Sequence, residues 1–216
     1  PNIACGVANF RRAIPVLRYP VGSDFEKLKL QEEWEGRNIC CRLSYVDNIN
    51  SGCAWMYMQE DGTTMCFAFP GAADYAVPSP EELAEEMVVI APKLNPYTEA
   101  YLKKSIEQKR TVVVTGIGDK RLLSYLENID ILIINQCELG QLCRAGEFSD
   151  MNDITLRYPK LKLYITFGAE GSCFCTNGTS IRIPIVKAAV IRDFTGAGDA
   201  YTSGIISAIA DGYGYV

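Results

Sequence analysis

Four short runs in the second half of the chain are apolar almost without a break: residues 87–91, 111–115, 131–134 and 163–166. A strand with one face in water alternates apolar and polar side chains. A continuous run of β-prone residues predicts a strand covered on both faces. The stretches between the first three runs follow the other period. Residues 98–108 place Leu102 and Ile106 four apart, on one helical face, and residues 119–127 follow a glycine-rich turn. Strand–helix alternation of this kind predicts an α/β fold, a mostly parallel central sheet with helices on both faces. A further helical stretch, 136–144, starts directly after a strand. It sets Asn135 and Glu138 at a strand's carboxyl end, where ligands collect in open α/β sheets.

Residues 43–69 break the alternation. Residues 53–59 and 63–69 are β-prone and rich in aromatics, and Glu60-Asp61-Gly62 between them is a turn signal. This predicts a β-hairpin inserted at 43–70, either a small lid or an edge hairpin of the main sheet. Ser79-Pro80-Glu81-Glu82 carries a helix-start signature, with serine as cap and proline at the first helical position. Asn177-Gly178 between two β-like runs predicts a hairpin turn rather than a glycosylation site.

Composition narrows the class. With 216 residues, 48% of them hydrophobic, the chain has the make-up of one globular domain, 1–216. A net charge of −5 without a basic run argues against nucleic acid as a partner. The chain has no apolar stretch long enough for a membrane span and no signal-peptide pattern. Histidine is absent, which excludes Ser-His-Asp and Cys-His catalysis within this stretch. The nine cysteines include no C-x-x-C pair and read as reduced thiols of a cytoplasmic protein. Cys173 and Cys175 share one strand face and read as packing residues. The chain starts at Pro1, not Met, and reads as a fragment.

The chemistry concentrates near the end. Asp193-Phe194-Thr195-Gly196-Ala197-Gly198-Asp199 runs directly into a helical apolar pattern. Glycines let backbone N–H groups turn towards a ligand, and a helix start adds unpaired donors and partial positive charge. Together they form an anion site, most often for phosphate. A carboxylate at its mouth, Asp199, suits handling of a proton or a metal, though an aspartate at a helix start is also a common cap. There is no G-x-x-x-x-G-K-[ST]. Gly116-Ile117-Gly118 begins like a dinucleotide fingerprint, but Arg121 replaces its third glycine. Thr166-Phe167-Gly168-Ala169-Glu170-Gly171 follows a strand and reads either as a nucleotide-lining loop or as a strand-to-strand turn. Asn135 and Glu138, one helical turn apart, either orient a hydrated Mg²⁺ or form a helix cap beside a solvated acid.

In that order, N-x-x-E, T-x-G-x-x-G and D-x-T-G-A-G-D resemble the ribokinase/PfkB family of sugar and nucleoside kinases. Pro1-Asn2-Ile3-Ala4, Val21-Gly22-Ser23-Asp24, Asp61-Gly62 and Phe69-Pro70-Gly71-Ala72 match further family segments, so the resemblance covers essentially the whole chain. It implies a ribokinase-like three-layer sandwich with a β lid, and transfer of the γ-phosphoryl of ATP to a hydroxymethyl group of a sugar or nucleoside. The adenosine-kinase-like branch is the nearer likeness, ribokinase- or fructokinase-like specificity the runner-up. The alternative is a non-catalytic nucleotide- or sugar-binding protein on the same fold.

The resemblance also assigns roles. Asp199 takes the proton of the substrate hydroxyl. Gly196, Ala197 and Gly198 hold the transferred phosphoryl, and losing a comparable donor costs about 10²–10³ in rate. Asn135 and Glu138 match the Mg²⁺–phosphate pair, Glu138 acting through water. Thr166, Gly168, Glu170 and Gly171 match the nucleotide loop, Asn2 a substrate-contacting asparagine. Asp193 and Thr195 match positions that hold a monovalent cation, K⁺, in many members. A homodimer through the lid is a further implication. The chain departs from the pattern after 111–115, where Thr115-Gly116 replaces an Asp-containing motif. The family's first strand would lie upstream of Pro1 and its last helices beyond Val216. The piece alone is therefore expected to be poorly stable and inactive.

Overall fold

Two parallel strands organise the N-terminal part of the chain in a computed structural model that describes residues 1–58, 64–80, 83–188 and 194–215. β1 (Val16–Gly22) pairs with β2 (Cys40–Val46), Val16 beside Cys40 through to Gly22 beside Val46. α1 (Asn2–Phe10), α2 (Phe25–Leu28) and α3 (Leu30–Gly36) flank them. The strands turn Leu17, Tyr19, Val21, Cys41 and Leu43 to one side, where they pack with Ala4, Cys5 and Ala8 of α1, Phe25 of α2 and Trp34 of α3. The Phe25 and Trp34 rings lie 5.5 Å apart at the centre of this cluster.

β3 (Cys53–Met58) and β4 (Thr64–Phe69) form an antiparallel hairpin that is a two-stranded sheet of its own. Among the described residues it is therefore not an edge of the main sheet. The expected strand ends Gln59 and Thr63 and the turn Glu60-Asp61-Gly62 lie outside the described residues. The hairpin's base is knotted to the end of β1. Ser51 Oγ accepts the Gly22 N–H at 2.9 Å, and Asp24 Oδ1 accepts the Ser51 N–H at 2.7 Å. The Ala72 N–H donates to the Asn50 carbonyl at 2.9 Å. The knot needs glycine: a Cβ on Gly22 would stand 2.3 Å from the Ile49 carbonyl oxygen. Thus Val21-Gly22-Ser23-Asp24 fixes the entry into the hairpin.

The chain's contacts divide it into two units, Pro1–Val77 and Pro78–Val216. The second is built on β5 (Met87–Ile90), β6 (Thr111–Thr115), β7 (Ile131–Asn135), β8 (Lys162–Thr166), β9 (Ser172–Thr176) and β10 (Thr179–Ile183), in the order β10-β9-β8-β7-β6-β5. The four unbroken apolar runs are the parallel strands β5 to β8, and β9 and β10 add an antiparallel hairpin. Its turn is Asn177-Gly178, both at positive φ (47° and 72°), as a two-residue hairpin requires. α4 (Pro96–Glu107), α5 (Gln136–Gly146) and α6 (Met151–Arg157) cover one face. α7 (Ala197–Ala210) covers the other, laying Tyr201, Ile205 and Ile209 on Val113, Ile131, Ile133, Tyr164 and Phe174. Burial on both faces is what the continuous apolar runs require. Cys173 and Cys175 are fully buried, their sulfurs 3.7 Å apart, and burial pushes the Cys175 thiol up to about 12.

Two local expectations differ. Residues 119–127 form no α-helix but two 3₁₀ turns, Lys120–Ser124 and Leu126–Asn128. The Asp119 carboxylate accepts the Arg121 N–H at 2.8 Å and grips its guanidinium, which also donates to the Leu94 carbonyl at 2.6 Å. Near Ser79 and Pro80 the described residues, 78–80 and 83–86, hold no helix, and Glu81 and Glu82 lie outside them. Leu83 is pinned instead, its N–H on Gln108 Oε1 and its carbonyl on Arg110.

Candidate active site

Asn135 is both the last residue of β7 and the cap of α5. Its Oδ1 accepts the Glu138 N–H at 2.9 Å, and Glu138 Oε2 accepts the Asn135 N–H at 2.9 Å. This reciprocal capping box settles two of the helix's unpaired donors. The cap reading is therefore met. It also fixes the pair at the strand's carboxyl end with Glu138 half-buried and Asn135 exposed.

The sheet register places the second motif next to the first, because Thr166 pairs with Asn135. Gly168–Glu170 then makes one 3₁₀ turn, closed by the Phe167 N–H on the Gly171 carbonyl at 2.9 Å. Gly168 and Gly171 take φ of 59° and 89°, and a Cβ on Gly171 would stand 2.3 Å from the Ile183 carbonyl oxygen. The stretch is thus the β8–β9 turn, and its glycines are required by the turn itself. Gly168 and Glu170 are exposed on the rim.

α7 brings in the third motif. Gly196 occupies the cap position with φ 80° and ψ 3° and provides no side-chain cap. Among the described residues, chain neighbours and the helix's own backbone aside, a Cβ on Gly196 or Gly198 would meet no atom within 4 Å. The Ala197 N–H is turned onto the Phe194 carbonyl at 3.1 Å. Asp199 is not the cap. It is the third residue of the helix and half-buried, and its carbonyl accepts from Ser203 Oγ at 2.7 Å. Thr195 is exposed just ahead of the helix, and Asp193 lies outside the described residues.

Two contacts fix α7 over the rim. Thr202 Oγ1 lies 3.1 Å from Oγ1 of Thr115, the last residue of β6, and both are buried. Tyr201 stands near Ser172, the first residue of β9; burial raises the tyrosine hydroxyl and the serine partly offsets the rise. Ser172 in turn pairs with Thr166. Asn135, Thr166, Ser172 and Tyr201 therefore form a continuous series of neighbours. Asn135 with Glu138, the Thr166–Gly171 turn and the Asp199 helix start share one sheet end. Asn2 opens α1 in the first unit and is exposed. Thr115, Ser172, Tyr201 and Thr202 had no motif to reveal them. The one signal was Thr202 standing three residues after Asp199.

A parallel sheet continued by an antiparallel hairpin, with three loop or helix starts at one end, is a ribokinase-like α/β fold. The family model described as "pfkB family carbohydrate kinase" matches residues 1–216, and the chain belongs to that family. The nucleoside kinase of Methanocaldococcus jannaschii is 28% identical over 200 residues, 89% of this chain and 65% of that protein. The ribokinase of Arabidopsis thaliana is 26% identical over 204 residues, 85% of this chain and 54% of that one. The chain thus spans less than two thirds of the length of either relative. The crystal structure of the M. jannaschii kinase superposes with a TM-score of 0.86 at 25% identity, covering 99% of this chain and 73% of that one. The Burkholderia thailandensis nucleoside kinase in complex with inosine shares the fold, with a TM-score of 0.83 at 17% identity over the same shares. No helix among the described residues is long and apolar enough to cross a membrane.

Proposed function

We propose that the protein transfers the γ-phosphoryl group of ATP to a hydroxymethyl group of a nucleoside or sugar, a nucleoside in the first place. The observation that carries the proposal is the gathering of Asp199, Asn135 with Glu138, and the Thr166–Gly171 turn at one end of one sheet. The M. jannaschii relative and the inosine-bound B. thailandensis neighbour support a nucleoside acceptor over a free sugar.

The residues present fit such a reaction. Among the described residues nothing crowds a Cβ at Gly196 or Gly198, which suits a phosphoryl group at the start of α7; the Ala197 N–H, held by the Phe194 carbonyl at 3.1 Å, has to leave that acceptor before it joins Gly196 and Gly198 in holding the group. Those N–H groups stabilise charge where it resides in a loose transition state. The Asp199 carboxylate orients the acceptor hydroxyl. As its oxygen bonds to the γ-phosphorus and the bond to the bridging oxygen breaks, Asp199 accepts the hydroxyl proton. Thr166, Gly168, Glu170 and Gly171 line the nucleotide, and Asn2 contacts the acceptor. Among the described residues no three His, Cys, Asp or Glu side chains come together. Glu138, with Asn135 beside it, suits a divalent ion held mainly by phosphate oxygens and water, as Mg²⁺ prefers. Magnesium, when bound, neutralises phosphate charge. Thr195, with Asp193, is assigned to a monovalent cation such as K⁺. The hairpin of β3 and β4 is assigned as a lid and as the surface of a homodimer.

The test uses the full-length protein with ATP and, in turn, adenosine, inosine, ribose, fructose and 2-keto-3-deoxygluconate. Turnover is expected on at least one nucleoside and is lost in Asp199→Asn. Undiminished turnover in that variant overturns the assignment of Asp199. Nucleotide binding with no turnover on any acceptor would instead make the protein a non-catalytic binder.

A further inference from the structure

The loop after β6 is the one glycine motif to which the reading above gives no task. Its geometry ties it to α5. The Gly116 N–H donates to the Ile133 carbonyl at 3.1 Å, two residues before Asn135. Ile117 is buried, and the Asp119–Arg121 grip on the Leu94 carbonyl fixes the far side. Between these anchors Gly118 passes against the first turn of α5. A Cβ there would stand 2.7 Å from Gln141 Oε1, 2.8 Å from the Glu138 carbonyl oxygen and 2.9 Å from Glu138 Cα. Its φ is outside the left-handed region, so glycine is required here by space alone. The Gln141 side chain can swing away. The Glu138 backbone moves only with the helix turn.

We propose that Gly118 is a positioning residue for the Asn135–Glu138 pair: the bare backbone at this point seats the first turn of α5 and thereby sets where the Glu138 carboxylate stands. This rests on the reading of Glu138 as the metal–phosphate carboxylate. Any side chain at 118 lifts the Glu138 backbone by several tenths of an ångström. That strains the two 2.9 Å bonds of the capping box and displaces the carboxylate relative to Thr166 on the neighbouring strand. The loop is held at both ends, so it has little freedom to yield instead.

In the full-length protein, Gly118→Ala raises the KM for ATP and the magnesium concentration for half-maximal rate at least fivefold, with the acceptor KM unchanged. Gly140→Ala, where a Cβ meets only Arg144 Nη1 at 3.4 Å, changes neither. Amide exchange at Asn135 and Glu138, measured without nucleotide, quickens in Gly118→Ala and not in Gly140→Ala. Adding Gln141→Ala to Gly118→Ala removes the nearest clash and leaves the two backbone ones. This milder double variant keeps the nucleotide and magnesium defect. Full recovery in it, an unchanged ATP KM in Gly118→Ala, or a loss of rate shared equally by both substrates with unchanged amide exchange, overturns the proposal. Glu138→Gln separates it from the reading beneath it. If that variant leaves the magnesium dependence intact, the metal role of Glu138 falls, while amide exchange still decides whether Gly118 seats the turn.

Discussion

Asp199 stands in the first turn of α7, not at its cap, so its carboxylate is not what starts the helix. The start is set by the left-handed backbone of Gly196. It follows that Asp199→Asn leaves the Gly196 helix start in place. Turnover in the same variant is expected to fall about 10²–10⁴-fold, the usual contribution of a positioned proton acceptor. Thermal melts and steady-state rates on one preparation check both halves, and a large drop in Tm beside a small drop in rate would reverse the assignment. Gly196→Ala behaves differently. Among the described residues nothing beyond its chain neighbours and the helix's own backbone crowds the missing Cβ, and forcing alanine to φ 80° costs of order 1–3 kcal/mol. The N–H groups at the helix start then lose their aim, and rate is expected to fall with stability. The specificity of D-x-T-G-A-G-D in the sequence comes from this backbone requirement, which few residue types satisfy. The partners that fix α7 over the rim, Thr115 with Thr202 and Ser172 with Tyr201, join positions far apart in sequence and ordinary in type, so nothing along the chain marked them.

At the scale of elements, one buried hydroxyl pair adds to the apolar packing that places α7. Thr202→Val leaves Thr115 Oγ1 buried beside a methyl group and is expected to cost about 1–3 kcal/mol. Combining it with Thr115→Val is expected to restore part of that loss, which urea unfolding of both single variants and the double variant measures. The base of the β3–β4 hairpin offers a pH readout. The Ser51 N–H on Asp24 holds the Asp24 carboxyl below the usual carboxylate range. A folded-state value below the unfolded one means a contribution that is full above about pH 4, the ordinary aspartate value. It is lost as pH falls through the lower folded value. Protease cleavage near residue 52 is expected to rise on acidification in that window, and Asp24→Asn abolishes the dependence. Elements were legible wherever one local rule governed them. The unbroken apolar runs gave β5 to β8, Asn177-Gly178 gave the β9–β10 turn, and Asn135 with Glu138 gave the start of α5. Residues 119–127 fold as two 3₁₀ turns instead of the expected helix, and the Asp119–Arg121 pair that reaches the Leu94 carbonyl there is a contact invisible to periodicity.

For the whole molecule, the sequence order of the motifs revealed more than any single motif did. Asn135, Thr166 and Asp199 each had a plain structural alternative, and the structure meets two of those alternatives outright, as a cap and as a turn. In the proposed function they act together because they stand at one end of one sheet, and strand order is what brings them there. The hairpin poses the remaining question at this scale. Register puts Trp55 opposite Phe67, Tyr57 opposite Met65 and Cys53 opposite Phe69, all on one face. Trp55, Tyr57, Phe67 and Phe69 are each more than half exposed. The rings of Tyr57 and Phe67 meet edge-on at 5.9 Å within this face. A contiguous exposed aromatic face of this kind suits an association site. Because the face is repeated on every copy, a two-fold contact between hairpins buries it on both partners at once. The full-length protein is therefore expected to sediment as a dimer at micromolar concentration. Phe67→Glu puts a charge at the centre of that contact and is expected to give a monomer. Met56→Glu, on the opposite face, leaves the dimer intact, because Met56 faces away with Cys66 as its partner. A monomeric wild type, or dissociation by both substitutions alike, would remove the hairpin face from the interface.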